Sequence, residues 1–151
     1  MNAAHGAVLL VDDDPDDRAF VRDALAACGV AAPRCPAVVN GKEALDYLDG
    51  RGPYADREKH PAACLVLLDI KMPVLDGFET LSAIRASETH DTLPVVMLTG
   101  SAQPSDVKRA FGLGANAFLV KPASLSRLKT MLRAVVEFWL EFNVTSCAEW
   151  K

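Results

Sequence analysis

Residues Ala7–Asp17 read AVLLVDDDPDD, and the reading of this stretch decides the fold. Five unbroken apolar residues are too few for a buried helix and suit a strand covered on both faces. Asp14-Pro15 then supplies an N-cap and a first helical position, and Asp16 and Asp17 complement the positive end of the helix dipole. Phe20, Val21, Ala24, Leu25 and Cys28 recur on one helical face, and Gly29 stops the helix. A buried strand running straight into an amphipathic helix is half of a parallel crossover unit.

The same alternation continues along the chain. A weak strand is expected around Cys35–Val39, near a sheet edge because Pro36 cannot donate to a ladder. Gly41–Leu48 reads as a short helix and Gly50–Pro61, rich in Gly, Pro and charge, as a loop. Cys64–Leu68 is a second strong strand, ending at Asp69; Asp76 with Glu79 forms a capping box that opens a helix to about Arg85. Pro94–Leu98 ends at Thr99, a helix covers about Pro104–Leu113, Ala117–Val120 ends at Lys121, and Ser124 caps a long final helix. Five strands alternating with five helices predict an α/β, doubly wound parallel sheet.

The chain has 151 residues, 50% of them hydrophobic and 24% charged, which fits one folded domain and excludes disordered classes. Sixteen Lys and Arg stand against 20 Asp and Glu, a formal net charge of −4. Neither nucleic acid nor an anionic membrane is an expected partner, because both select a dense basic footprint. The longest apolar run, Ala62–Leu68, is seven residues, against the ~20 that span a bilayer. The N-terminus lacks a basic segment, so a cytoplasmic protein is expected, with Cys28, Cys35, Cys64 and Cys147 as reduced thiols.

Chemistry concentrates at the C-terminal strand ends, which in such a sheet share one edge. There stand Asp12, Asp13, Asp14, Asp69, Thr99 and Lys121. Taken singly, Asp14 is an N-cap, Thr99 starts a loop and Lys121 is a surface charge. Together they crowd carboxylates that repel unless a cation joins them. A hard divalent ion with oxygen ligands, Mg²⁺ above all, resolves that conflict. An Asp beside Mg²⁺, an ammonium and a hydroxyl is equipped as a nucleophile toward a phosphoryl group.

Four stretches carry a resemblance: LLVDDDPDD (Leu9–Asp17), LLDIKMPVLDG (Leu67–Gly77), PVVMLTGS (Pro94–Ser101) and GANAFLVKP (Gly114–Pro122). Thr99 follows Asp69 by 30 residues and Lys121 follows Thr99 by 22. In these motifs and intervals the sequence resembles the receiver domain of two-component response regulators, from about Ala7 to Phe142. The resemblance implies a flavodoxin-like fold with strand order 2-1-3-4-5. It implies Asp69 as phosphoacceptor from a sensor histidine kinase. Mg²⁺, with Mn²⁺ able to substitute, would be held by Asp13, Asp69 and the backbone carbonyl of Lys71, with Asp12 acting through water. Thr99 and Lys121 would bind the phosphoryl group, Phe118 would be the switch aromatic, and the Lys121–Pro122 bond would be cis. Signalling would then pass through a protein partner or onward phosphotransfer, or the domain would serve as a phosphate sink. A haloacid-dehalogenase-type phosphatase shares the strand-end Asp, but after Lys121 the only acids are Glu137, Glu141 and Glu149, which leaves its metal ligands missing.

Asp13 and Asp69 lie 56 residues apart, longer than a minimal receiver needs, and the excess falls in Gly50–Pro61. With GPYADR inside that loop and EFWLEF at Glu137–Phe142, the sequence is similar to single-domain regulators of phytochrome-type kinases. The expected division is a receiver domain over 1–142, with an insertion at 50–61, and a tail over 143–151. Leu125, Leu128, Leu132, Val135, Trp139 and Phe142 form one helical stripe. Its end is expected to overrun the domain, so that Trp139, Leu140 and Phe142 pack in a homodimer.

Overall fold

The computed structural model describes residues 6–144. Its strands are β1 (Ala7–Val11), β2 (Ala37–Val38), β3 (Ala63–Leu68), β4 (Val95–Thr99) and β5 (Ala117–Val120). The helices α1 (Pro15–Ala27), α2 (Gly41–Asp49), α3 (Gly77–Ala86), α4 (Pro104–Gly112) and α5 (Leu125–Val136) alternate with them. All five strands pair in parallel in the order β2-β1-β3-β4-β5. The chain steps outward from β1 in both directions, which puts the switch point between β1 and β3.

Strand periodicity divides the core. Val8, Leu10, Leu65 and Leu67 face α1 and α5, whereas Leu9, Val11, Val66 and Leu68 face α2, α3 and α4. All eight are at most 2% exposed, which explains why β1 and β3 read as continuous apolar runs rather than alternating ones. β2 is only two residues long. Pro36 lies just outside it, yet its carbonyl accepts the Leu10 N–H at 2.9 Å, so the edge is continued without a donor from proline.

The expected loop over Gly50–Pro61 is folded down on α2. Tyr47, fully buried, donates its hydroxyl to the Pro61 carbonyl (2.6 Å), and its ring meets Tyr54 at 5.1 Å. Arg57 donates to the Leu48 carbonyl (2.9 Å) and lies 5.5 Å from the Tyr47 ring centroid. Aromatic contacts and a shared guanidinium tie this insertion to its own domain.

Two expectations are corrected here. The stripe extrapolated along the last helix fails at Leu125, which is 42% exposed, and again after Val136, where Glu137–Phe142 is a π-helix. Its i→i+5 bonding, as from Asn143 N–H to the Phe138 carbonyl, delays the inward face relative to an α-helix. Leu140, four residues after buried Val136 and eight after buried Leu132, enters the core at 3% exposure, Trp139 is half-buried against it, and Phe142 is turned out at 73%. Leu140 is occupied within its own chain and is not available to a second subunit. The cysteine expectation holds for Cys28 and Cys35, which are free, and fails for Cys64, which is disulfide-bonded; Cys147 lies outside the described residues. Pairing of this kind depends on which segments meet in space, and sequence spacing carried no sign of it. No helix among the described residues is long and apolar enough to cross a membrane.

Candidate phosphoacceptor site

Backbone pairing at the strand ends sets the site. The Asp69 N–H donates to the Val11 carbonyl (3.0 Å) and the Lys121 N–H to the Thr99 carbonyl (2.8 Å). These bonds lock the residue after β3 to β1, and the residue after β5 to β4. The Gly77 N–H returns to the Ile70 carbonyl (2.7 Å) and folds the loop between Asp69 and α3 against its own strand end.

Side chains converge on that frame. Lys121 Nζ donates to Asp12 Oδ2 (2.7 Å), Asp17 Oδ2 (2.9 Å) and Asp69 Oδ2 (3.1 Å). Asp12 Oδ1 accepts the Asp14 N–H (3.0 Å), and Asp69 Oδ1 accepts the Ile70 N–H (2.7 Å). Asp14 caps α1 as expected, accepting the N–H groups of Asp16 and Asp17. Thr99 is buried at the end of β4, Phe118 is half-buried on the α4 side, and Lys71 is exposed just beyond Asp69.

Electrostatics follows from burial. Asp12 is 1% exposed, and this desolvation raises its pKa despite the opposing bonds from Lys121 and Asp14. Burial acts against the Lys121 ammonium too, but the carboxylates of Asp12, Asp17 and Asp69 outweigh it and raise that pKa well above the usual lysine value. The lysine is thus charged throughout the physiological range. Asp12, Asp13 and Asp69 each offer an oxygen, all within 4.8 Å of one another. A close set of carboxylates with no nitrogen or sulfur donor fits a hard divalent cation such as Mg²⁺ or Mn²⁺.

The Response regulator receiver domain family matches residues 8–133. The chain belongs to that family. It is 32% identical over 134 residues to the response regulator Rcp1 of Synechocystis, covering 89% of this chain and 88% of the relative. A phosphorylated cyanobacterial phytochrome response regulator, RcpA, superposes with TM-score 0.80 at 31% identity, over 95% of this chain and 99% of that one. The Mn²⁺-bound form of response regulator Rcp1 superposes with TM-score 0.76 at 30% identity, over 94% and 99% of the two chains. The receiver fold and its strand order are those expected.

The structure brings Asp12, Asp13, Asp69 and Lys121 together as expected and corrects one detail. The Lys121–Pro122 bond is not cis; the one cis bond among the described residues is Ala32–Pro33. The register of β5 on β4 already aims Lys121 at the strand ends, and the ammonium reaches its three carboxylates without the expected isomer. Sequence reasoning missed Asp17, taken only as a favourable first-turn charge. The available sign was its position three residues after the N-cap, on the helical face that looks back toward the strand ends.

Proposed function

We propose that Asp69 is the phosphoacceptor of a two-component response regulator, and that a sensor histidine kinase is its donor. The observation that carries this is the Lys121 ammonium bonded to Asp69 at 3.1 Å, beside the carboxylates of Asp12 and Asp13. An Asp69 oxygen attacks phosphorus in line; the new O–P bond forms as the N–P bond to the donor histidine breaks, and that nitrogen takes the electron pair. Lys121 neutralises charge on the equatorial oxygens, and the Thr99 hydroxyl donates to one of them. Asp13, Asp69 and the Lys71 carbonyl, with Asp12 through water, would hold a divalent ion that supplies further neutralisation. The added charge on Asp69 biases Thr99 and Phe118 between two arrangements, which a partner reads. Output passes through that partner or through onward phosphotransfer.

Acetyl phosphate with Mg²⁺ should label the wild type stoichiometrically and leave Asp69→Asn unlabelled. Equal labelling of both proteins would remove the assignment. The likeness to RcpA, a phytochrome response regulator, supports a phytochrome-type kinase as donor. Such a kinase should transfer faster than unrelated kinases when donors are compared side by side.

A homodimer is the second reading. Phe138 and Phe142 are 53% and 73% exposed on the last helical segment, an aromatic surface that a second copy can cover. The double variant Phe138→Glu with Phe142→Glu should halve the mass seen by light scattering. A mass equal to that of the wild type, whether monomer or dimer, counts against this surface.

A further inference from the structure

Lys121 binds three carboxylates, and one of them stands apart from the acidic set that fits a metal. Asp17 Oδ2 lies 2.9 Å from Lys121 Nζ, but Asp17 is not among the carboxylates grouped within 4.8 Å, which are Asp12, Asp13 and Asp69. It stands on the first turn of α1, on the wall of a cleft between α1 and α5 that Phe20, Pro122 and Leu128 also line. Its place is set by short-range bonds. The Asp17 N–H donates to Asp14 Oδ1 (3.3 Å), and the Asp14 N–H donates to Asp12 Oδ1 (3.0 Å). One capping turn therefore supplies both Asp12 and Asp17 to the same ammonium.

An ammonium has three N–H donors, and here all three are engaged. A phosphoryl group on Asp69 takes over the Lys121 bond that Asp69 Oδ2 now accepts, and its further oxygens gain a second N–H of Lys121 only if Asp12 or Asp17 is released. Asp12 is costly to release: it is 1% exposed, and without Lys121 it becomes a buried charge lacking its counter-ion. The Asp17 side chain is 39% exposed, so water replaces the lysine there at small cost.

We propose that Asp17 is a positioning residue, a latch that holds Lys121 in the unphosphorylated state and competes with the phosphoryl group for it. The inference rests on Asp69 as phosphoacceptor. On phosphorylation the phosphoryl oxygens take the Lys121 bond of Asp69 and then compete for the one held by Asp17, which is freed at the mouth of the α1–α5 cleft. The latch lowers the stability of the phosphorylated state by the strength of one half-exposed ion pair.

Beryllofluoride, which occupies a phosphoryl position without covalent transfer from a donor, tests this in the presence of Mg²⁺. Binding is followed by NMR of the backbone amides, together with the Lys121 side-chain nitrogen. Asp17→Asn should bind beryllofluoride roughly threefold more tightly than wild type, the range of an exposed ion pair. The Lys121 nitrogen resonance should shift in that variant before any ligand is added. Asp17→Glu, which retains the charge, should return affinity toward wild type. Unchanged or weaker binding by folded Asp17→Asn overturns the latch while leaving Asp69 in place. Failure of the wild type itself to bind overturns the phosphoacceptor reading, and the latch with it.

Discussion

Lys121→Ala should lose about 3 kcal/mol of stability at pH 7, because it strands a carboxylate buried at the end of β1. In a chain of this length that is roughly a 6–12 °C fall in Tm. The cause is Asp12, 1% exposed and bonded to Lys121 at 2.7 Å. Without the ammonium, Asp12 and Asp69 repel across the site and burial of Asp12 is uncompensated. The pH dependence has a definite sign. Asp12 already has a raised pKa from burial, and loss of Lys121 raises it further. A carboxyl whose folded pKa is raised costs stability above that pKa and is relieved below it. The deficit of the variant should therefore shrink on acidification toward about pH 4, as Asp12 takes up its proton. The raised pKa of Lys121 has the complementary sign: its contribution is present in full below the ordinary lysine value near 10.5 and is lost only above it. Mg²⁺ should restore more stability to the variant than to wild type, because it replaces the missing counter-charge. Equal stability of the two proteins across pH 4–8 would contradict this account.

Gly77→Ala should damage both stability and phosphorylation. A Cβ at this position meets the Asp69 carbonyl oxygen and the Ile70 Cα, both backbone atoms. No rotamer change relieves that contact, so either the N-terminus of α3 or the segment carrying Asp69 has to move. Overpacking of this kind costs about 1–3 kcal/mol. A displacement of about 1 Å at a reacting group lowers a rate by about 100-fold, so labelling by acetyl phosphate should fall on that scale. Gly112→Ala is the control, because nothing lies within 4 Å of the added methyl and a helical glycine is replaced. Thermal denaturation and labelling kinetics on both variants decide the matter. Normal labelling in Gly77→Ala would show that the close approach does not position Asp69.

Much of this protein was legible in local pattern. The apolar runs at β1, β3 and β4 and the caps Asp14, Asp76 and Ser124 are properties of a few adjacent residues, and their elements formed close to the expected limits. The strand-end chemistry was legible for a related reason: in a parallel sheet, the residue that ends each strand is carried to one edge by topology alone. Asp69, Thr99 and Lys121 needed only their strands to be recognised. Asp17 needed more, since its role depends on the side-chain reach of a lysine 104 positions away.

The failures share a physical origin. The inward stripe of the last helix was extrapolated at α-helical spacing through Phe142, but the final segment is π-helical and Phe142 is turned out of the core. That segment packs on β3 and follows directly from α5, so which of its side chains face inward depends on elements outside its own six residues. The disulfide at Cys64 belongs to the same class, because proximity is a global property of the chain.

By itself the sequence determined the alternation of strands and helices, the sheet edge that carries the chemistry and the residue types placed there, since hydrophobic period, capping and strand ends act over short range. Only the tertiary structure decided that Lys121 is shared among three carboxylates, that the insertion lies folded on α2, and which aromatics of the final helix remain exposed. Each of these depends on distances between segments far apart in the chain.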